Sequence, residues 1–418
     1  MVLDTRQEKA ILVGIELAGD DPAQTAYSLE ELARLADTAG ADVRLQVFQK
    51  RNKPDAVTLL GRGKAEELAA LCRDNEAGLA IFDRELSAVQ ARNLEEITGV
   101  RIIDRTQLIL DIFACRAKTR EGKLQVELAQ LNYLLPRLTG RGAEMSRLGG
   151  GIGTRGPGET KLEIDRRRIR KRIADLNADI KEVKKHRDLL RRSRREIPIP
   201  LVALVGYTNA GKSTILRELT GAGVLVEDKL FATLDPTTRR VVLPNNEAIL
   251  LTDTVGFIQN LPHHLVAAFR ATLEEVVEAD LLLHVVDAAH PNAENHIEAV
   301  QKVLKSLGAA DKPFVMVYNK FDLLPDGRLP FEKSRPGVAL SARKGWGFAE
   351  LLQAIARAFI SRRLRKTFFI SYDKSWLLPL LHEKGKVLCE EHGEKGVTLD
   401  VEIEAVWADR VQARITEI

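Results

Sequence analysis

The residues most clearly suited to a chemical role form the octapeptide GYTNAGKS at positions 206–213. Its spacing fits G-x-x-x-x-G-K-[ST], a loop that wraps nucleotide phosphates. Gly206 and Gly211 allow a tight turn that brings backbone N–H groups against phosphate oxygens. Lys212 can reach the β- and γ-phosphates, and the Ser213 hydroxyl can ligate Mg²⁺. The alternative is a glycine-rich turn between a strand and a helix that fits the pattern by chance, so other motifs must decide.

A second motif, N-K-F-D at 319–322, can select the base. The Asp322 carboxylate can accept hydrogen bonds from guanine N1–H and from the 2-amino group. Adenine would leave this carboxylate unpaired, which costs about 1–3 kcal/mol. Asn319 can approach the other edge of the base, and the Lys320 stem can cover its face. A solvated loop after a strand is the alternative for this motif alone.

Two further motifs complete a GTP site. Asp253 and Gly256 form D-x-x-G, in which the carboxylate can hold a Mg²⁺-bound water and the glycine N–H can meet the γ-phosphate. The backbone of Ser341-Ala342-Arg343 can contact the guanine oxygen. Each motif ends an apolar run typical of a buried parallel strand, and such strand ends share one edge of a sheet. The sequence therefore predicts a P-loop GTPase domain over 198–364.

The chain before this domain predicts an N-terminal α/β subdomain over 1–104. Strands are expected at Ala10–Leu17, Val43–Phe48, Leu79–Phe82 and Val100–Ile103, with helices at Thr25–Ala39, Lys64–Cys72 and Ala88–Ile97. Their alternation favours a mainly parallel sheet. Gly61-Arg62-Gly63-Lys64 superficially resembles a phosphate loop, but it lacks the full spacing and is better explained as a turn.

Heptad leucines predict a long antiparallel helical hairpin over 105–197. The expected helices run from about 105 to 139 and from 159 to 196, joined by a basic, glycine-rich tip at 140–158. From Glu159 to Glu196 the second helix carries 15 Lys or Arg against 8 Asp or Glu. One interpretation is the solvated face of a coiled coil. The other is a rod that lies on RNA phosphates and recognises shape, since aromatic residues are scarce there.

The remaining features are less specific. A small α+β domain is expected over 365–418, with strands at Thr367–Tyr372, Lys386–Glu390 and Gly396–Ile403 and short helices near Trp376 and Trp407. The N-terminus lacks an apolar signal region, no apolar run is long enough for a transmembrane segment, and three scattered cysteines fit neither a disulfide framework nor a metal site. We therefore expect a cytoplasmic protein, and a monomer. Because the net charge is only +4, any basic patch must be local.

The motifs GYTNAGKS, FATLDPTTR, DTVGF, NKFD and SAR, preceded by GGGIGTRGPGETKLEIDRR, resemble those of the HflX GTPases. This family belongs to the translation-factor-related class of P-loop GTPases. The resemblance covers nearly the whole chain and is weakest in the C-terminal tail. It implies binding to the large ribosomal subunit, an N-terminal domain near the peptidyl-transferase region, and dissociation of stalled ribosomes after stress.

The resemblance also implies roles for single residues. It makes 231–235 the first switch, 253–256 the second switch, and Ser213 and Thr233 the Mg²⁺ ligands. From the residues alone, Thr233, Thr237 and Thr238 all remain candidates for the second hydroxyl. We expect catalytic roles for Lys212, Thr233 and Gly256. The expected nucleotide-binding residues are Gly206, Tyr207, Thr208, Asn209, Ala210, Gly211, Lys212, Ser213, Phe231, Ala232, Thr233, Leu234, Asp235, Asp253, Thr254, Val255, Gly256, Asn319, Lys320, Phe321, Asp322, Ser341, Ala342 and Arg343.

These expectations define an α/β protein that hydrolyses GTP with Mg²⁺ on the large ribosomal subunit. Phe257 stands where many GTPases place a glutamine that orients the attacking water, so hydrolysis should need help. Asn209 matches the asparagine that holds K⁺ in potassium-activated GTPases, although it could be a plain turn residue. The alternatives for the whole protein are a ribosome-assembly GTPase and a signalling module whose coiled coil binds a protein.

Overall fold

The computed structural model describes residues 7–138, 157–194, 199–221, 229–259, 273–324, 336–360, 363–404, 408, 411–412 and 414–415. The expected glycine-rich tip before Pro157, the end of the expected second hairpin helix at 195–196 and Trp407 lie outside these residues. The chain divides into two compact units. The first comprises residues 1–241 and 249–346, and the second comprises 242–248 and 347–418.

The first unit begins with a four-stranded parallel sheet, as the sequence predicted. Its strands lie in the order β2-β1-β3-β4. Apolar side chains of β1 and β3 are fully buried on both faces of the sheet, which is why these strands are nearly continuous apolar runs. The elements are β1 Lys9–Leu17, α1 Pro22–Thr38, β2 Asp42–Arg51, α2 Arg62–Asp74, β3 Leu79–Phe82, α3 Ala88–Thr98 and β4 Arg101–Asp104.

The expected single helix from about 105 to 139 is wrong. The chain forms α4 over Arg105–Arg116 and α5 over Arg120–Leu134, followed by a 3₁₀ turn at Leu135–Leu138. Ala117 takes an extended backbone conformation, and the Thr119 side chain accepts a hydrogen bond from the Gly122 N–H as the N-cap of α5. The buried face of α5 is not formed by the heptad leucines. Its buried residues are Gly122, Gln125, Val126, Ala129 and Tyr133.

The basic helix is close to its expected length. It forms α6 over Pro157–Arg194 and contacts α5, where the Arg172 guanidinium pairs with the Glu127 carboxylate at 2.7 and 2.9 Å. Leu176 is fully buried, whereas Arg167, Arg170 and Lys171 are exposed. The expected hairpin requires the connection between α5 and α6, which lies outside the described residues, so the hairpin stays a prediction.

A six-stranded sheet carries the GTPase motifs. Its order is β10-β9-β8-β5-β7-β6, and β5 lies between β8 and β7 as a parallel neighbour of both. This central position explains why β5 is almost completely buried. The elements are β5 Leu201–Gly206, α7 Lys212–Thr220, β6 Thr237–Val242, β7 Ala248–Asp253, α8 Glu274–Glu278, β8 Leu281–Asp287, α9 Ala293–Ser306, β9 Phe314–Asn319 and β10 Gly337–Ala339.

The second unit has its own core, as the expected tail strands imply. A three-stranded antiparallel sheet in the order β11-β13-β12 buries Phe368, Leu399 and Val401 against α11 residues such as Leu381. Its elements are α10 Phe348–Ile360, β11 Arg363–Ser371, α11 Leu377–Lys384, β12 Gly385–His392 and β13 Gly396–Glu404. Among the described residues of both units, none of the helices combines the length and apolarity that a bilayer crossing requires.

Candidate active site

The phosphate loop leaves the carboxyl end of β5 and leads directly into α7. Gly211 is the N-cap of α7 and has φ +96°, a conformation that favours glycine. A Cβ at this position would stand 2.1 Å from Asn319 Nδ2, so no other residue allows the loop to approach the base motif this closely. The turn therefore points the N-terminal N–H groups of α7 into the site, as phosphate binding requires.

Lys212 is buried at the base of the loop. Its ammonium donates to the carbonyl oxygen of Tyr207 at 2.9 Å and of Gly206 at 3.2 Å. Burial lowers the pKa of Lys212 to about 8, while the nearby Asp253 carboxylate acts in the opposite direction. An anionic phosphate beside this group would favour its charged form.

Three oxygen-bearing side chains converge beside the loop. Ser213 Oγ donates to Asp253 Oδ2 at 2.6 Å and lies 2.8 Å from Thr233 Oγ1. Burial raises the pKa of Asp253, against the effect of Lys212 and of the hydrogen bonds from Ser213 and Thr233. Asp253 Oδ1 is buried and has no hydrogen-bond partner among the described residues. Hydroxyl and carboxylate oxygens are the donors that Mg²⁺ prefers, so this donor set fits that ion.

The structure distinguishes between the three candidate threonines. Thr233 belongs to this oxygen cluster, whereas the Thr238 hydroxyl contacts Thr252 at 2.8 Å within the sheet. Thr237 is the first residue of β6. The geometry therefore favours Thr233, the residue that the family pattern selects.

Hydrogen bonds from Ser341 and Ala342 hold the N-K-F-D base motif in place. The Ser341 hydroxyl donates to Asp322 Oδ1 at 2.6 Å, and the Ala342 N–H donates to Asn319 Oδ1 at 3.0 Å. The Asn319 amide donates in turn to the carbonyl oxygen of Ala210 at 2.8 Å. The base motif is thereby joined directly to the phosphate loop.

One groove of about 500 Å³ runs from the phosphate loop to the base motif. It includes the expected catalytic residues Lys212, Thr233 and Gly256. Nine expected residues do not line the groove, namely Gly206, Tyr207, Ala210, Leu234, Asp235, Asp253, Val255, Phe321 and Ser341. The sequence analysis missed four lining residues, Thr214, Arg217, Lys229 and Leu323.

Tyr207 connects the phosphate loop to helix α1 of the N-terminal subdomain, which the sequence did not predict. Its hydroxyl donates to the buried Glu31 carboxylate at 2.5 Å and accepts from the Gln259 N–H at 2.7 Å. Burial beside Glu31 raises the pKa of this phenol, so it stays protonated. Glu31 also pairs with the buried Arg105 guanidinium, and the Tyr207 ring stacks on His296 at a centroid distance of 3.8 Å.

Phe257 points away from the groove. Its side chain is 1% exposed within the core that the two sheets share, and its backbone bonds to Gly206 and Thr208. This burial agrees with the expectation that Phe257 does not orient a water.

Comparisons with known proteins agree with this geometry. A family model described as GTP-binding GTPase N-terminal matches residues 26–114, and one described as GTP-binding GTPase Middle Region matches 116–194. A third, described as 50S ribosome-binding GTPase, matches residues 201–320.

Similar proteins share both sequence and length with this chain. The GTPase HflX of Caldanaerobacter subterraneus subsp. tengcongensis is 50% identical over 97% of this chain and 93% of its own. That of Alkalihalophilus pseudofirmus is 46% identical over 98% of this chain and 96% of its own. That of Escherichia coli is 46% identical over 83% of this chain and 82% of its own.

Proposed function

The chain belongs to the HflX family of GTPases, and from this premise we propose that it uses Mg²⁺ to act on the large ribosomal subunit and to dissociate stalled ribosomes. The premise itself makes the protein an enzyme that binds and hydrolyses GTP. The metal ion, the ribosomal partner and the splitting reaction are the proposal.

The oxygen cluster supports the role of Mg²⁺. Ser213 and Thr233 would ligate the ion, and Asp253, with one oxygen unpaired among the described residues, would accept from a water on it. A Mg²⁺ ion would supply positive charge to the phosphate oxygens. The chain's own contribution is to hold these oxygens, the Lys212 ammonium and the N–H groups of α7 in one fixed arrangement.

The basic helix α6 supports the ribosomal partner. The exposed side chains of Arg167, Arg170 and Lys171 lie on successive turns, where they could contact an RNA backbone. The description of the family that matches residues 201–320, a 50S ribosome-binding GTPase, names the same partner. A signalling module with a protein-binding coiled coil would not need this excess of positive charge.

Co-sedimentation tests the partner. The full chain is centrifuged with mature large subunits, with assembly precursors of the large subunit, or alone, each with GDP or a non-hydrolysable GTP analogue. We expect the analogue-bound protein to sediment with mature subunits, because the switches that contact the γ-phosphate are then ordered. The GDP-bound protein and bovine serum albumin serve as controls.

Two results would change the proposed function. Sedimentation with precursors alone would favour a ribosome-assembly GTPase. An absence of sedimentation with either particle would favour the signalling module. If mature subunits are bound, addition of the protein with GTP to stalled ribosomes should increase free subunits in a sucrose gradient.

A further inference from the structure

We propose that Asp235 is a positioning residue, which holds the first switch closed by binding the N-terminus of α5. Its carboxylate accepts from the N–H groups of Lys118 and Thr119, both at 2.9 Å, and from the Thr119 hydroxyl at 2.5 Å. The residues that it binds belong to the break between α4 and α5. The N-terminal half of the chain thus supplies a support for the switch of the GTPase sheet.

This contact fixes a residue of the oxygen cluster. Asp235 lies two residues after Thr233, whose hydroxyl stands 2.8 Å from that of Ser213. With one intervening residue, displacement of the Asp235 carboxylate displaces Thr233 as well. The inference rests on the proposed role of Thr233 toward Mg²⁺.

Apolar contacts hold the other end of the same switch. Phe231 is 2% exposed and meets the edge of Phe113 of α4 at a centroid distance of 4.7 Å. Leu234 is also buried in the core that contains Ile112. Phe231 has φ +53°, an uncommon conformation for a bulky residue that the surrounding contacts must support. The first switch is therefore held on both sides of Thr233 by α4 and α5.

Gly122 provides a selective test, because it leaves room for the Asp235 carboxylate. A Cβ on Gly122 would stand 2.5 Å from Asp235 Oδ1, too close for both atoms to remain. The same Cβ would stand 3.1 Å from the Thr119 Oγ1 that caps α5, but alanine is a better helix former than glycine, so we expect α5 to stay formed in Gly122→Ala while the switch is displaced. Gly63→Ala in the first turn of α2 is the matched control, because its Cβ would meet no atom within 4 Å.

The measurements separate the switch from the rest of the site. We expect full-length Gly122→Ala to bind GDP like the wild type, to bind a non-hydrolysable GTP analogue about tenfold more weakly and to hydrolyse GTP about tenfold more slowly in single turnover. Trypsin should cleave its analogue-bound form faster after Lys229, which adjoins the switch. Gly63→Ala should match the wild type throughout, and thermal melting should show that both variants fold.

Asp235→Ala gives a second test if Gly122→Ala does not fold, since it removes the same contact without changing α5. Analogue affinity, hydrolysis and cleavage after Lys229 within twofold of the wild type would overturn the proposal, as would equal losses in Gly63→Ala.

The role of Thr233 is tested separately, with Gly122 and Asp235 unchanged. One experiment uses Thr233→Ala, and the other removes Mg²⁺ from the wild type with a chelator. If neither change reduces hydrolysis, the proposed metal site fails; if both do while Gly122→Ala has no effect, only the positioning role of Asp235 fails.

Discussion

Asp322 shows how single residues determine the nucleotide that the site accepts. One of its carboxylate oxygens accepts a hydrogen bond from the Ser341 hydroxyl at 2.6 Å, which fixes the orientation of the carboxylate. A fixed carboxylate discriminates better than a mobile one, because a wrong base cannot be accommodated by rotation. The Asn319 amide is fixed in the same way between Ala342 and Ala210.

Asp322→Asn should therefore change the preferred base. The new amide donates where guanine N1–H and the 2-amino group also donate, whereas xanthine offers an oxygen at position 2. Compared with the wild type, we expect Asp322→Asn to bind GTP at least about tenfold more weakly and to bind XTP more tightly. Competition against a fluorescent nucleotide measures both affinities. Asp311→Asn, an exposed change before β9, is the control and should leave all affinities unchanged. Equal binding of GTP and ATP by the wild type would contradict this account of the base site.

At the residue scale, the sequence predicts the groove well because its motifs are local. Gly211, Lys212 and Ser213 act through one continuous turn, and its backbone positions follow from spacing. The partners of Tyr207 and Asp235 could not be predicted, because they lie 176 and 117 residues away along the chain. Only tertiary packing brings these side chains together, since α1 and the break between α4 and α5 contact residues of the GTPase part.

Among the elements, the break between α4 and α5 is the main difference between the predicted and the observed structure. The heptad leucines at 124, 128, 131, 135 and 138 begin after this break, so they predict the helix over α5 and carry no information about 117–119. Spacing cannot detect that Thr119 begins a new helix, because Thr119 is also tolerated inside one. Thr119 caps α5 by accepting from the Gly122 N–H, and its hydroxyl also donates to Asp235, which belongs to a distant part of the chain.

The exposed face of α6 leads to a prediction about charge. Reversal of Arg167, Arg170 and Lys171 to Glu should weaken binding to large subunits and flatten its dependence on salt, because fewer counterions are released from RNA. Arg168 pairs with Asp165, and the buried Arg166 Nε suggests a packing role, so neither is suitable for this test. Co-sedimentation over a salt series measures the effect.

The control for this variant keeps the same change in net charge. Arg73, Lys302 and Lys305 are exposed on α2 and α9, and their reversal to Glu should leave subunit binding much closer to that of the wild type. GTP binding should be unchanged in both triple variants, because none of the six residues lines the nucleotide groove. If the α6 variant bound subunits normally, its basic side chains would be only a solvated helix face.

At the scale of the molecule, the two sheets of the first unit share one hydrophobic core. A single core includes Leu12 and Phe113 from the N-terminal part and Val205 and Phe257 from the GTPase part. His296 lies at this junction, where it bonds to the Tyr27 hydroxyl at 2.8 Å and where burial lowers its pKa to about 3. A neutral imidazole therefore packs there at physiological pH. Gln259, three residues after the second switch, donates its N–H to the Tyr207 hydroxyl, which in turn donates to Glu31, so a short chain of hydrogen bonds joins the neighbourhood of the second switch to this junction.

This shared core bears on how hydrolysis is stimulated. Phe257 is held in the core and offers no polar group to a water, so we expect another group to complete the catalytic arrangement. We predict slow hydrolysis by the protein alone, strong stimulation by large subunits and modest stimulation by K⁺ over Na⁺. Asn209 lines the groove and has φ +59°, and it is the residue through which K⁺ would act. The charge of a K⁺ ion near the γ-phosphate would replace that of an arginine finger.

Steady-state phosphate release in matched KCl and NaCl buffers, with and without large subunits, distinguishes the two sources of stimulation. Asn209→Ala should abolish the difference between K⁺ and Na⁺ yet retain stimulation by subunits, because the subunit would order the switches and not the turn at Asn209. If the K⁺ effect persisted in Asn209→Ala, Asn209 would serve only as a turn residue that accommodates the positive φ at this position. Rapid hydrolysis by the protein alone in NaCl, unchanged by subunits, would mean that a group within this chain orients the water despite the burial of Phe257.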